Sequence, residues 1–379
     1  MKILMVSIPT LHFFRWTDQL KNAGHEVFWF DITGMSAPVK RLNWVQQRVN
    51  WKLNYRYPGR VFLKKQFSEI YNFIQRFNEK NTASEFEKYL NEVKPDVVHS
   101  FAIYLACSPI YEVMMKHKNQ KWVYSSWGSD LYYFQNNPSY LKNIKQVLPR
   151  VNYLFTDCNR DYEIAKQYGF NGEFLGIFPG GGGFNLKHVQ KFHLPINKRK
   201  TILIKGFQGR SGRAITVLKA IINLQEQLKH YKIIVFGAPN EVFQFVENSN
   251  LKNWENLQVL GRINHENVVE LMGKALIYIG NSNSDGMPNT LLEAIIMGAF
   301  PIQSNPGNAT SEIITPNKNG LLINDCENPL EIEKLLANAL INSELINTAY
   351  IINQEELKQK LDRETIRWSV LQKYASIAP

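Results

Sequence analysis

Short runs of consecutive apolar residues recur along the chain. Each is closed by a polar or glycine-bearing turn and followed by a stretch with apolar positions at helical spacing. Residues 2–7, 26–30, 95–100, 121–126 and 153–157 read as strands in the first half, and 200–205, 232–236, 257–262, 275–280, 300–303 and 320–324 in the second. Unbroken apolar runs of this length are the mark of parallel strands buried on both faces. Residues 11–22, 84–93, 102–116, 160–168, 214–228, 242–248, 265–272, 290–297, 329–341, 344–360 and 363–374 read as the intervening helices. The alternation predicts an α/β chain of two doubly wound, Rossmann-like domains. Residues 1–190 form the first and 198–360 the second, with residues 188–199 the boundary and a final helix in 361–379. Residues 38–80 interrupt the pattern and predict two helices split at Pro58-Gly59.

The most informative stretch follows the apolar run 275–280. Residues 281–288 make a polar turn through Asp285 and Gly286, Pro288 fits a first helical position, and residues 290–297 continue as a helix ended by Gly298. A strand, a loop and a helix start aim backbone N–H groups out of the carboxyl end of a sheet, a ready site for anions. Asp285 and Glu293 flank that helix start with seven residues between them. A carboxylate there accepts two hydrogen bonds from a sugar diol, or else caps the helix and complements its dipole. A second such layout opens the second half. The run 200–205 ends in Lys205, then Gly206-Phe-Gln-Gly-Arg210-Ser-Gly-Arg213 leads into a helix. Glycines and cations before a helix suit a diphosphate, though the Gly-Lys-Ser/Thr ending of a P-loop is absent.

The formal charge of +11 is uneven. Lys40, Arg41, Arg48, Lys52, Arg56, Arg60, Lys64, Lys65, Arg76 and Lys80 face only Glu69 and Glu79 between residues 40 and 80, interleaved with aromatic residues. An anionic membrane surface is the candidate partner for that segment, with a solvated helix face as the alternative. No RNA- or DNA-binding module is legible, so nucleic acid is not expected as a partner. No apolar run reaches about eighteen residues. The amino terminus reads as a strand rather than a signal peptide. Cys107, Cys158 and Cys326 are scattered, and a reducing cytoplasm is expected.

The acid-x7-acid run with Ala294, Gly298, Pro301, Asn305-Pro-Gly307 and Glu312 resembles the donor site of retaining glycosyltransferases of family 4. So do Ile8-Pro-Thr-Leu-His12-Phe-Phe-Arg15-Trp16 and the strand-end Trp127-Gly-Ser-Asp130, where Trp127 replaces the family's usual His. The resemblance implies the GT-B fold, two Rossmann-like domains facing a cleft, with the last helix crossing back to the first domain. It implies a nucleotide-diphosphate sugar as donor and a glycan or lipid-linked sugar as acceptor, in surface-polysaccharide synthesis at the inner face of the membrane. Glu293 would hold the ribose, and Asp285 with Gly286, Met287, Pro288, Asn289 and Thr290 the sugar. Lys205, Arg210 and Arg213 would face the diphosphate beside Gly206, with Arg210 and Arg213 favoured, and Gly261 and Arg262 would lie near the base. Asp130 would orient sugar or acceptor, or cap a turn. His12, Arg15, His99 and Trp127 would line the acceptor side. No metal and no cofactor are implied. A nucleotide-sugar epimerase and a catalytically silent scaffold of the same fold are the alternatives.

Overall fold

The computed structural model describes residues 1–377. Contacts divide the chain into two compact units: residues 1–156, 162–177 and 369 onward, and residues 157–161 with 178–368. The division falls at Ile177/Phe178, ahead of the boundary expected at 188–199. That polar-looking segment is anchored in the second unit. Phe184 and Val189 join its core, and the buried Arg199 donates to the carbonyls of Leu194, Ala275 and Met297.

The first unit holds seven parallel strands, β1 (Lys2–Ser7), β2 (Glu26–Asp31), β3 (Gln46–Arg48), β4 (Val97–Phe101), β5 (Lys121–Ser125), β6 (Tyr153–Thr156) and β7 (Glu173–Ile177). Their order is β3-β2-β1-β4-β5-β6-β7. Alternate residues enter opposite layers, as a two-residue strand period requires. Leu4, Val6, Phe28, Phe30, Val98 and Tyr124 pack into one core. On the other face lie Phe13 and Trp16 of the helix Leu11–Thr17 and Tyr374 of the last helix, Arg363–Ile377. That last helix passes into the first unit from Ser369, where Tyr374 accepts from the Trp16 indole at 3.2 Å.

Two expected helices differ. The run 102–116 breaks into a π turn, a 3₁₀ turn and the short helix Tyr111–Lys116, because Pro109 supplies no N–H. In the basic excursion both helices, Arg60–Gln66 and Ser68–Asn78, follow Gly59 and are split at Phe67. The chain before Pro58 is mostly irregular, and its short β3 extends the sheet edge.

The second unit holds β8 (Thr201–Lys205), β9 (Lys232–Phe236), β10 (Leu257–Val259), β11 (Ala275–Gly280), β12 (Phe300–Ser304) and β13 (Leu321–Ile323), all parallel, in the order β10-β9-β8-β11-β12-β13. Ile202, Ile204, Ile233, Val235, Ile277 and Ile279 feed one helical layer, and Leu203, Ile234, Tyr278 and Ala275 the other. The strand order reverses between β8 and β11, the switch point where open α/β sheets take ligands.

Among the described residues no single helix is long and apolar enough to cross a membrane. The pair Pro329–Ile341 and Ser343–Leu361 passes by composition only as two pieces bent by 89°. Its Ile332, Leu336, Leu345 and Ile346 are packed in the second unit's core.

Candidate active site

The loops leaving β8 and β11 are sewn together by their backbones. Asn283 donates its N–H to Ser211 at 2.9 Å, Arg213 donates to Asn281 at 3.0 Å, and the Ser282 N–H donates to Ser304 Oγ at 2.9 Å. Gly206 begins the first loop where a Cβ would press on the Phe236 carbonyl and Ala238. The second loop turns at Gly286, where a Cβ would collide with the Asp157 carboxylate. Glycine is therefore required at both positions by close approach.

Lys205 ends β8, and its Nζ lies 3.5 Å from Asp285 Oδ2 and 5.1 Å from the Phe207 ring centre. Gly286 donates its N–H to Asp285 Oδ1 at 3.1 Å. The helix Asn289–Ile296 then begins, with Pro288 as N-cap rather than first helical residue and with no side chain capping its start. Thr290 Oγ1 accepts from the buried Tyr278 hydroxyl at 2.9 Å, and burial raises that phenol's pKa. Met287 is buried.

Glu293 is almost completely buried one turn along, and its Oε1 lies 2.5 Å from Nε2 of His265. Arg210 is exposed on the glycine loop, and Arg262 is exposed just past β10 beside Gly261, whose carbonyl accepts from Gly237. Arg213 is bonded within its own loop and to a neighbouring one. It donates to the carbonyls of Gly209 and Gly212 at 2.8 and 2.9 Å and to Glu327, so it braces the loop. Lys205, Asp285 and Gly286 thus meet at the switch point, and Glu293 follows one turn into the helix that starts there.

A second acidic group adjoins it. Asp157, Cys158 and Asp161 hold their donor atoms within 4.8 Å of one another, and Arg160 pairs with Asp161 at 2.7 Å. This acidic set already holds an organic cation, the Arg160 guanidinium. Burial, then the neighbouring carboxylates Asp161 and Asp285, push the Asp157 carboxyl well above its usual range, against the pull of Arg160. Glu312 closes the group by accepting from the backbone N–H groups of Asn159 and Arg160.

The first unit treats its expected site residues differently. His99 is the third residue of β4, between Met5 on β1 and Val123 on β5. Strand alternation turns it into the layer under the last helix, where it is fully buried. Its Nδ1 lies 2.5 Å from the Tyr374 hydroxyl and its Nε2 2.8 Å from Ser125 Oγ, and burial lowers its pKa to about 3. Asp130 is also buried and organises three segments: it accepts from the Trp127 N–H at 2.8 Å, the Ile103 N–H at 2.9 Å and the Tyr124 hydroxyl at 2.6 Å. The Ile103 bond secures the turn at Ala102, a non-glycine residue at φ 63°. His12 is exposed on the first turn of its helix, 6.4 Å from the Trp127 ring, and Arg15 is half-buried further along. His12 and Trp127 are brought together; His99 and Asp130 lie inside the fold.

Residues 187–356 match the family model of glycosyl transferases group 1, and residues 2–158 match that of glycosyl transferase 4-like proteins. The chain belongs to these glycosyltransferases. Over 166 residues it is 28% identical to a Campylobacter jejuni α-1,4-N-acetyl-D-galactosaminyltransferase that acts on an undecaprenol-diphosphate-linked glycan. The match covers 42% of this chain and 44% of that relative, so it spans less than half of either. The glycosyltransferase's structure is similar to sucrose-phosphate synthase of Thermosynechococcus elongatus, with a TM-score of 0.73 at 15% identity over 99% and 98% of the two chains. It is similar too to Anabaena HepE in complex with UDP-glucose, with a TM-score of 0.72 at 12% identity over 99% and 100%. These likenesses show the GT-B fold.

Sequence reasoning passed over three side chains that adjoin the switch-point residues. His265 reads as an ordinary helix start, and its pairing with Glu293 is a tertiary contact without a sequence signal. Asp157 and Asp161 stand four residues apart at a strand-to-helix junction, a spacing that also describes ordinary helix capping.

Proposed function

We propose that the protein is a retaining glycosyltransferase that moves a sugar from a nucleotide-diphosphate sugar to a glycan or lipid-linked sugar acceptor in surface-polysaccharide synthesis. The observation that carries this reading is the grouping of Lys205, Asp285, Gly286 and Glu293 at the β8/β11 switch point. Breaking the anomeric C–O bond leaves negative charge on the departing diphosphate. Lys205 at the strand end, Arg210 on the next loop and the start of the helix Asn289–Ile296 supply positive potential there before the reaction begins. On phosphate binding Lys205 exchanges its long contact with Asp285 for the anion, which frees that carboxylate for a sugar hydroxyl. Glu293 receives the ribose diol. UDP is the first nucleotide to test, because the Anabaena relative was crystallised with UDP-glucose.

A lipid-linked acceptor fits the Campylobacter relative and a surface feature of the first unit. The helix Arg60–Gln66 buries none of its residues, and Val61, Phe62, Phe67, Ile70, Phe73 and Phe77 stand exposed on it and its neighbour. Arg56, Arg60, Lys64, Lys65 and Arg76 accompany them. Exposed aromatic rings among cations match an anionic bilayer surface on the cytoplasmic side.

Titration with UDP-, GDP-, ADP- and dTDP-sugars tests the donor site: binding of one nucleotide class, lost in Glu293→Ala, is the expected result. No binding by the wild type would favour a silent scaffold, and turnover without acceptor would favour an epimerase. Cosedimentation with vesicles containing anionic lipid tests the surface. The expected loss in a Phe73→Ser/Phe77→Ser variant would be contradicted by unchanged pelleting.

A further inference from the structure

We infer that His265 is a positioning residue for the donor nucleotide, holding Glu293 in the orientation that receives the ribose. The inference rests on the donor-site reading above and adds a residue to it.

Both partners are mounted rigidly. His265 opens the helix His265–Lys274, whose N-cap Asn264 accepts from the Asn267 N–H at 2.8 Å. That helix is seated through Val268, Val269 and Met272, which share one core layer with Leu291, Leu292, Ala294 and Ile295 of the helix bearing Glu293. The contact between Nε2 and Oε1 is 2.5 Å long. The two sides of the pair differ in exposure: the Glu293 side chain is 4% exposed, whereas the imidazole is 39% exposed. A carboxylate that deep in a helix layer needs a hydrogen-bond donor, and the imidazole N–H is one from a fixed direction. Two hydroxyls of a diol can be received together only when the carboxylate plane is set beforehand. His265 sets it.

A purely structural role for His265 makes a different prediction. It would lower the melting temperature of His265→Ala and leave the affinity of the folded protein for nucleotide untouched. A positioning role raises the donor KM and the UDP dissociation constant about tenfold, with kcat within about twofold. His265→Gln, whose amide donates from a similar place, restores affinity to within about threefold. His265→Phe keeps the ring volume without the donor and behaves like His265→Ala, so the test survives if the alanine variant folds poorly. His265→Ala combined with Glu293→Ala binds no more weakly than Glu293→Ala alone, since the two act as one unit.

Isothermal titration of UDP into the full chain reads all of these. Unchanged affinity in His265→Ala and His265→Phe, beside a clear loss in Glu293→Ala, overturns the inference and leaves the donor site standing. Additive losses in the double variant also overturn it. Failure of the wild type to bind any nucleotide across the donor panel overturns the donor site and this inference with it.

Discussion

The two sheets carry the same topology around a strand-order reversal, yet they dispose of their polar residues in opposite ways. In the first unit His99 and Asp130 are buried with their polar atoms bonded to Tyr374, Ser125, Tyr124 and backbone N–H groups. In the second unit Lys205 and Asp285 meet at a loose 3.5 Å, partly exposed, and Glu293 is held by a histidine that reaches solvent. A polar group bonded on all sides by its own chain adds stability and has little left for a ligand. Lys205 and Asp285, joined by one long ion pair, can exchange it for a ligand. His99 sits mid-strand and Asp130 in a short helix, whereas Lys205 ends its strand and Asp285 lies in the next loop; how tightly its own chain bonds each group separates the two sets.

The largest expected effect on binding breaks the second unit's side of the contrast. If Glu293 receives the ribose as proposed, Glu293→Ala removes two charge-assisted hydrogen bonds, and nucleotide affinity should fall roughly a hundredfold by calorimetry, with the fold retained by circular dichroism. The mirror experiment is His99→Ala. It strands the Tyr374 hydroxyl and Ser125 Oγ in a dry layer and leaves a cavity, so denaturant unfolding should show a loss of about 3 kcal/mol. Nucleotide affinity should not change.

The same histidine gives a pH signature. Its folded pKa is lowered from 6.5 to about 3, so the unfolded chain takes up a proton below pH 6.5 that the folded chain refuses. Its neutral form is compatible with full stability above 6.5. As pH falls from 6.5 toward 3, stability should drop by about 1.4 kcal/mol per unit. Urea melts of wild type and His99→Ala between pH 7 and 5 check this, and the variant should lose that part of the slope. The smallest effect belongs to Arg213→Ala. Its loop-bracing bonds are partly exposed and its partner Glu327 is mostly solvated, so the loss should be about 1 kcal/mol by thermal unfolding.

Much of this was legible from residue patterns. The apolar runs of β8, β9 and β11 and the turn through Asp285 and Gly286 are local features, and local features survive translation into structure. His99 was not legible as a core residue. Its strand is apolar on both faces, so nothing local says which face the last helix covers, and Tyr374 lies 275 residues away. Arg213 shows a related ambiguity. A cation before a helix suits a phosphate equally well as a bracing role, and the structure bonds this one to Glu327 and to the carbonyls of Gly209 and Gly212. His265 and Asp157 went unnoticed because their significance lies in a neighbour, Glu293 or Gly286, more than 25 residues distant.

The most direct test is one calorimetric series with UDP on wild type, Glu293→Ala and His99→Ala, run at a temperature where all three remain folded. The account predicts binding by wild type and His99→Ala with equal affinity and a loss of roughly a hundredfold in Glu293→Ala. Equal binding by wild type and Glu293→Ala, or a loss confined to His99→Ala, would contradict it.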